Sequence, residues 1–256
     1  MTNTRRIVMW SPPRARSTLM MRVFEALGCA VFDEPFYAYW LERLDKRDDP
    51  GFAETLAHHP SDWREITELV LGAVPDGKRW YYQKHMAIHM LPEVSLDFMA
   101  HPEVINCFLI RDPREVIVSM SEFRDLAKVC DAEGVEAAAR LVGIPQLQRI
   151  YARARASSSE PVPVIDANDV LRNPEKTLGA FCAEIGLPFD AQAPLTWAKG
   201  AHAADGAWGP MWYAKVYATS RLGSYTPKTL AVPRALQPIV DACMPTYAAL
   251  RAECLC

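Results

Sequence analysis

The chain has 256 residues, half of them hydrophobic, with 28 lysines and arginines against 31 aspartates and glutamates and a formal net charge of −3. This length fits one domain with a sizeable core, and the small net charge argues against broad electrostatic capture of nucleic acid or an anionic membrane. Residues 1–6 lack the apolar region of a signal peptide and no apolar run approaches the roughly 18 residues of a membrane span, so we expect a cytoplasmic protein.

Short apolar runs typical of β-strands alternate with longer helical patterns. Strands are predicted at residues 7–10, 30–32, 80–83, 104–110 and 164–166. Helices are predicted after the first strand up to Gly28, at about 63–73, at 113–123, at 174–186 and at about 233–251. This order predicts an α/β fold in three layers, of the P-loop type, with a mostly parallel central sheet and a helical C-terminal cap. We expect a single domain over residues 1–256, with its core at about 5–190 and the cap at about 191–256.

Residues 11–18, with the sequence Ser-Pro-Pro-Arg-Ala-Arg-Ser-Thr, lie between the first predicted strand and its helix. Backbone N–H groups of such a loop and the helix N-terminus converge on an anion. Compared with the ATP-binding pattern G-x-x-x-x-G-K-[ST], Ser17 replaces the lysine and Arg16 the second glycine, which favours a donor with one phosphate here. A plain turn capped by Ser17 or Thr18 is the alternative. Positive charge also concentrates in this region, at Arg5, Arg6, Arg14, Arg16 and Arg22.

A second motif follows the fourth strand, where Arg111-Asp112-Pro113 is followed by Ser119 eight residues after Arg111. Asp112 is expected to cap the next helix and Pro113 to fit its first turn. A guanidinium offers a fork of donors to phosphate oxygens, and a serine adds a hydroxyl. The structural alternative for Arg111 is an ion pair with Asp112 or Glu115.

The two motifs together resemble the sulfotransferase family that uses 3′-phosphoadenosine 5′-phosphosulfate (PAPS). The loop match is Pro13-Arg14-Ala15-Arg16-Ser17-Thr18, and the second match runs from Arg111 to Ser119. The resemblance implies that the loop, chiefly Arg14, Ser17 and Thr18, contacts the 5′-phosphosulfate and that Arg111 and Ser119 hold the 3′-phosphate. Arg16 stands where the family has glycine, so its side chain either points away from the donor or adds a positive contact.

The resemblance also implies an activity: in-line transfer of a sulfuryl group to a hydroxyl or amine of a small-molecule acceptor. Such a transfer needs a base on the acceptor and positive charge along the bond that breaks. Glu34 is the first prediction for the base, because it ends the second strand beside the loop and some family members carry a glutamate in a similar Glu-Pro context. His85 is the rival base. Lys84 is predicted to serve the leaving oxygen, and Arg14 to steady charge on the transferring group.

Other interpretations follow from the same residues. A nucleotide-dependent kinase and a non-catalytic protein that binds adenosine bisphosphate are the two alternative functions. The seven cysteines are scattered, odd in number and without zinc-site spacing, so we expect reduced thiols and no metal. For the aromatic segment at residues 208–213, core packing is favoured over a place in the acceptor pocket.

Overall fold

A computed structural model describes residues 4–227 and 230–255 of the chain. The strands are β1 Arg5–Ser11, β2 Ala30–Asp33, β3 Trp80–Met86, β4 Val104–Ile110 and β5 Val164–Asp166. The helices are α1 Ser17–Ala26, α2 Tyr37–Arg43, α3 Phe52–His58, α4 Trp63–Leu71, α5 Pro113–Ser121, α6 Leu126–Glu133, α7 Val135–Val142, α8 Ile144–Ser157, α9 Ala167–Arg172, α10 Pro174–Ile185, α11 Gly209–Trp212, α12 Ala214–Tyr217 and α13 Gln237–Ala252. Short 3-10 turns lie at Pro75–Gly77, Ala87–His89, Asp97–Ala100 and Arg234–Leu236.

The strands form one parallel sheet in the order β2-β3-β1-β4-β5. Successive side chains of a strand point to opposite faces, so β1 feeds two separate cores. Ile7 and Met9 pack with residues of α1 and α10, whereas Val8 and Trp10 pack with residues of α4, α8 and α13. Helices therefore cover both faces, and the predicted three-layer α/β fold is confirmed.

The part of the chain after α10 ends in helix α13, on the same side of the sheet as α4 and α8. The 16-residue helix α13 packs against α5, α7 and α8. It begins at Gln237, after the turn at Arg234–Leu236, and so starts later than the predicted residue 233. Within the described part of the chain, every helix is too short or too polar to cross a bilayer.

Two details of the sheet correct the predictions about Glu34, Lys84 and His85. The predicted third strand ended at residue 83, but β3 continues to Met86 because Met9, Trp10 and Ser11 extend the pairing opposite Lys84, His85 and Met86. Lys84 and His85 are therefore strand residues that point to opposite faces. In addition, Glu34 follows β2, and the loop at residues 11–18 follows β1. These two strands are separated by β3, so Glu34 does not follow a strand adjacent to β1.

Candidate active site

The N-terminus of α1 is open to a ligand. Arg16 occupies the N-cap position in the left-handed conformation, with φ 63°, and among the described residues no side chain caps this helix. Helices α4 and α5, by contrast, are capped by Asp62 and Asp112. The leading backbone N–H groups of α1 and the positive end of its dipole therefore remain available to an anion.

Backbone strain is concentrated around the same place. Arg14, Arg16 and Glu34 have φ values of 64°, 63° and 38°, in the left-handed region that favours glycine. Each such residue costs on the order of 1–3 kcal/mol and persists where the surrounding structure holds it. Glycine adopts this conformation most readily, and Arg16 adopts it while its side chain makes contacts of its own.

A cavity of about 490 Å³ opens where the strands end, at the usual ligand-binding edge of an open parallel sheet. Predicted site residues that line it are Arg14, Arg16, Ser17, Thr18, Glu34, Arg111 and Ser119. Ala15 is fully buried and does not line it. The cavity has a cationic wall, formed by the two motifs, and an aromatic wall, formed by α2 and residues 211–213.

The two motifs meet at the cationic wall. Arg111 donates from Nη1 to the backbone oxygen of Arg14 at 2.6 Å, across 97 positions of sequence. Arg14 in turn donates from Nε to Ser119 Oγ at 3.1 Å, with its guanidinium 4.7 Å from the ring centre of Phe123. Arg111 is only 7% exposed, yet it lines the open cavity.

Glu115 neutralises part of this positive charge. Arg111 donates to its Oε2 from Nη2 at 2.5 Å and from Nε at 3.1 Å, so the expected alternative ion pair forms with Glu115, while Asp112 pairs with Arg114. Arg16 lies 3.6 Å from the same carboxylate and also bonds the Asn168 amide oxygen, so its side chain adds positive charge to this wall. Arg111 and Arg16 share this one carboxylate, so Glu115 does not fully neutralise their two positive charges.

These guanidiniums are crowded. Burial lowers the pKa of Arg14, and the charge of Arg111 lowers it further despite the opposing effect of Glu122. The pKa of Arg16 is lowered by burial and by Arg111 in the same way. Arginine stays charged under such shifts. The three guanidiniums therefore repel one another, and a bound phosphate would reduce this repulsion.

Lys84 lies behind the cavity at the centre of a buried polar cluster. Its ammonium contacts Asp33 at 2.8 Å, Glu34 at 2.9 Å, Thr18 Oγ1 at 2.9 Å and the Tyr213 hydroxyl at 2.6 Å. Burial lowers the pKa of Lys84, but the two carboxylates outweigh it and hold the pKa above its ordinary value. Burial raises the pKa of Asp33 more than Lys84 lowers it. Lys84 thus connects the loop to the predicted base.

Glu34 presents one carboxylate oxygen to this cluster and the other to a histidine that the sequence did not single out. Oε1 contacts Lys84, and the Tyr213 hydroxyl lies 3.1 Å away. Oε2 lies 3.8 Å from Nε2 of His89, which lines the cavity and is 3% exposed. Burial, together with the charges of Lys84 and Arg124, lowers the pKa of His89 well below its ordinary value.

His85 does not reach the cavity, so its geometry argues against the rival assignment as base. The ring is 1% exposed, packs 4.8 Å from Trp10, and its Nε2 lies 3.2 Å from Gln83 Oε1. Burial lowers its pKa to about 3. The alternation of β3 sends its side chain into the core opposite α1, away from Lys84.

The N-terminal arginines do not act as one anion-binding group. Arg6 is buried and donates to the backbone of Gly72 at 2.8 Å, next to Glu103. Arg22 is fully buried and donates to both oxygens of Asp205 at 2.7 Å. The partly buried Arg14 and Arg16 on the loop therefore line the cavity, whereas Arg6 of β1 and Arg22 of α1 are held in packing contacts.

The aromatic wall comes from two distant segments. Tyr37 and Trp40 of α2 line the cavity and belong to one hydrophobic cluster with Met211, Trp212 and Tyr213. Trp208 and Tyr213 are 1% and 5% exposed and belong to one hydrophobic cluster, so the expected core packing holds for both, although Tyr213 also lines the cavity. Trp212 packs against this cluster, is only partly buried and lines the cavity as well. This wall offers a mostly apolar surface to a small molecule.

A sulfotransferase domain family model matches residues 5–254, which is nearly the whole chain. The chain therefore belongs to the sulfotransferase domain family.

Two curated relatives from Arabidopsis thaliana, the branched-chain-amino-acid aminotransferase-like proteins 2 and 1, are 27% identical over 248 residues and 28% over 246. The matches cover 94% and 95% of this chain, but only 40% and 41% of those proteins. This chain therefore spans about two fifths of the length of each of these relatives. Among solved structures, the sulfotransferase domain from the curacin biosynthetic pathway matches with a TM-score of 0.48 and 16% identity, over 93% of this chain and 97% of that one.

Proposed function

We propose that this sulfotransferase takes its sulfuryl group from PAPS and transfers it to a hydroxyl or amine of a small-molecule acceptor. The single observation that carries the proposal is the meeting of the two motifs at one open cavity, with Arg111 bonded to Arg14 and Arg14 bonded to Ser119. A donor with phosphates at both ends of its ribose needs two separated anion sites. The uncapped start of α1 and the cationic wall supply them.

The start of α1 would hold the 5′-phosphosulfate through backbone N–H groups and the side chains of Ser17 and Thr18. Arg111 and Ser119 would hold the 3′-phosphate, with Arg16 adding charge. A phosphate that enters this wall competes with Glu115 for Arg111, and its double negative charge favours the exchange.

Glu34 is the proposed base, since it lines the cavity and lies 2.9 Å from Lys84, which reaches Thr18 of the loop. The acceptor heteroatom attacks sulfur, a new bond to sulfur forms, and the proton passes to Glu34. The bond from sulfur to the phosphate oxygen breaks, and its electron pair stays on that oxygen. Lys84, which contacts both Thr18 and Glu34, would stabilise this oxygen through its charge.

The donor assignment is tested by calorimetry with adenosine 3′,5′-bisphosphate on wild type, Arg111→Ala and the matched control Arg114→Ala. Arg114 lies three residues after Arg111, in the first turn of α5, but its side chain is 56% exposed and paired with Asp112. Loss of charged hydrogen bonds worth about 1.5–3 kcal/mol should weaken binding roughly 10- to 150-fold in Arg111→Ala. The control should bind like wild type. Equal affinities for all three proteins would refute the 3′-phosphate site, and tight binding of ATP with magnesium instead would favour the kinase.

The base is tested with labelled PAPS and a panel of alcohols, phenols and amines. Glu34→Gln should bind the bisphosphate as wild type does and form product at least about 100-fold more slowly, in the range that general bases contribute. Glu54→Gln, at an exposed position of α3, is the control. Wild type that binds the bisphosphate tightly and forms no product with any acceptor would favour the non-catalytic alternative.

A further inference from the structure

His89 is a buried polar residue that the proposed chemistry leaves unused. It ends the turn that follows β3, and its ring stacks on Tyr37 with centroids 5.1 Å apart and lies 5.5 Å from Trp40. The residue is 97% buried, lines the cavity and presents Nε2 to Glu34 Oε2 at 3.8 Å. Its ring is thus held rigidly beside the carboxylate that faces the acceptor.

The surroundings of the ring fix which nitrogen carries the proton. Among the described residues, Nδ1 of His89 is buried and has no hydrogen-bond partner. A neutral imidazole has one N–H and one lone pair. A proton on Nδ1 would bury an unpaired donor and point the lone pair of Nε2 at the Glu34 carboxylate. A proton on Nε2 instead directs the N–H toward Glu34 and the cavity, and the lowered pKa keeps the ring neutral.

The spacing of the two groups leaves room for one acceptor atom. Oε1 of Glu34 already contacts Lys84 and Tyr213, so Oε2 is the oxygen left for a substrate. Atoms 3.8 Å apart, as Oε2 and Nε2 are, can both lie about 2.7–3.0 Å from a single oxygen. One hydroxyl can therefore donate its proton to Glu34 and accept the N–H of His89 at the same time.

From this geometry, and resting on the proposed function, we infer that the acceptor is an apolar alcohol or phenol rather than an amine, and that His89 selects it. A hydroxyl oxygen has two lone pairs: one accepts the His89 N–H, and the other attacks sulfur. A neutral amine nitrogen has only one, so the hydrogen bond from His89 would occupy the pair needed for attack. Tyr37, Trp40 and Trp212 surround the rest of the molecule with apolar surface.

The proton balance follows from these roles. The hydroxyl proton goes to Glu34, the oxygen forms the bond to sulfur, and the phosphate oxygen of the donor leaves with the electron pair of the bond that breaks. His89 keeps its Nε2 proton throughout, so it binds and orients the acceptor without acting as a base.

The test uses phenol and aniline pairs of equal size, such as para-ethylphenol and para-ethylaniline, because anilines are uncharged near neutral pH. Binding is measured with the bisphosphate present, and transfer is measured with labelled PAPS. Wild type should prefer the hydroxyl member of each pair at least about 10-fold in kcat/KM, the effect of one buried hydrogen bond. Preference for the anilines, or a panel in which no hydroxyl compound binds, would overturn the inference.

Variants separate selection from a structural role of His89. His89→Phe keeps a ring but no N–H, and should lose most of the hydroxyl preference while affinity for the bisphosphate stays within about twofold. His89→Gln places an amide N–H near the Nε2 position and should restore part of the preference. His58→Phe, at an exposed position, is the control. If both His89 variants weaken bisphosphate binding and both acceptor classes equally, the selective role is wrong. If wild type fails to bind the bisphosphate, the proposed function itself fails.

Discussion

Replacement of His85 by phenylalanine is expected to make the protein less sensitive to acid. The ring is 1% exposed and lies 4.8, 5.9 and 6.0 Å from the rings of Trp10, Phe36 and Phe98. A phenyl group fits this aromatic environment and cannot take up a proton. Its cost is the lost contact to Gln83, which is the same at every pH.

The magnitude follows from the difference between the folded and unfolded pKa of His85. Burial lowers the pKa to about 3 in the folded protein, against about 6.5 in an unfolded chain. Because the folded value is the lower one, the neutral ring costs nothing above pH about 6.5, and stability is lost as the pH falls from there toward the folded pKa. Between pH 7 and pH 4.5 this single group should remove about 2.5 kcal/mol of unfolding free energy.

Urea unfolding at several pH values between 7 and 4.5 measures this effect. The wild-type free energy of unfolding should fall by about 2.5 kcal/mol more than that of His85→Phe over this range. His58→Gln, which replaces an exposed histidine, should follow wild type. Parallel curves for wild type and His85→Phe would refute the placement of His85 in the core, because they would mean that the folded protein accepts the proton.

Two further variants test buried polar contacts, one in the Lys84 cluster and one between Arg22 and Asp205. Tyr213→Phe should lower the free energy of unfolding by about 1–3 kcal/mol, because the Trp208 N–H and Lys84 lose their acceptor. The Tyr213 hydroxyl also contacts Glu34, so the variant should slow product formation while the affinity for the bisphosphate stays unchanged. Unchanged turnover would show that this contact does not position Glu34. Asp205→Ala should cost about 1.5–3 kcal/mol in urea unfolding, because the buried Arg22 loses its two charged hydrogen bonds and keeps the longer ion pair to Glu25 at 3.6 Å. The double variant Arg22→Met with Asp205→Ala should recover much of this loss, and no recovery would show that Asp205 acts mainly through its bond to the backbone of His202.

Much of the fold was predictable because its elements end at chemically distinct residues. The predicted bounds of β4 and β5 agree with the structure, since each apolar run stops at polar residues. Asp112 caps α5 through Arg114 N as expected, and Gly28 adopts φ 87° after α1. The two anion-binding motifs were also visible, because each depends on residue types at short, fixed spacings.

The identity of the histidine at the site could not be predicted in the same way. His85 and His89 are four residues apart, and the choice between them depends on where β3 ends. The pairing with β1 extends β3 through Met86, so the side chain of His85 alternates into the core. The turn at Ala87–His89 then returns His89 to the cavity. Similarly, Arg22 and Asp205 are 183 positions apart, and no local pattern shows that they pair.

The order of charges along the cavity supports the proposed direction of transfer. Arg14, Arg16 and Arg111 form the wall assigned to the donor, where Glu115 pairs with the last two. Two carboxylates and Lys84 form the cluster assigned to the acceptor side. An in-line transfer moves negative charge toward the leaving phosphate and a proton in the opposite direction. In the proposed reaction the N-terminus of α1, which would hold the 5′-phosphosulfate, stabilises the first of these movements, and Glu34 would receive the second. Lys84 lies between them, in contact with both Thr18 and Glu34, so a single ammonium can stabilise charge at either end of the reacting bonds.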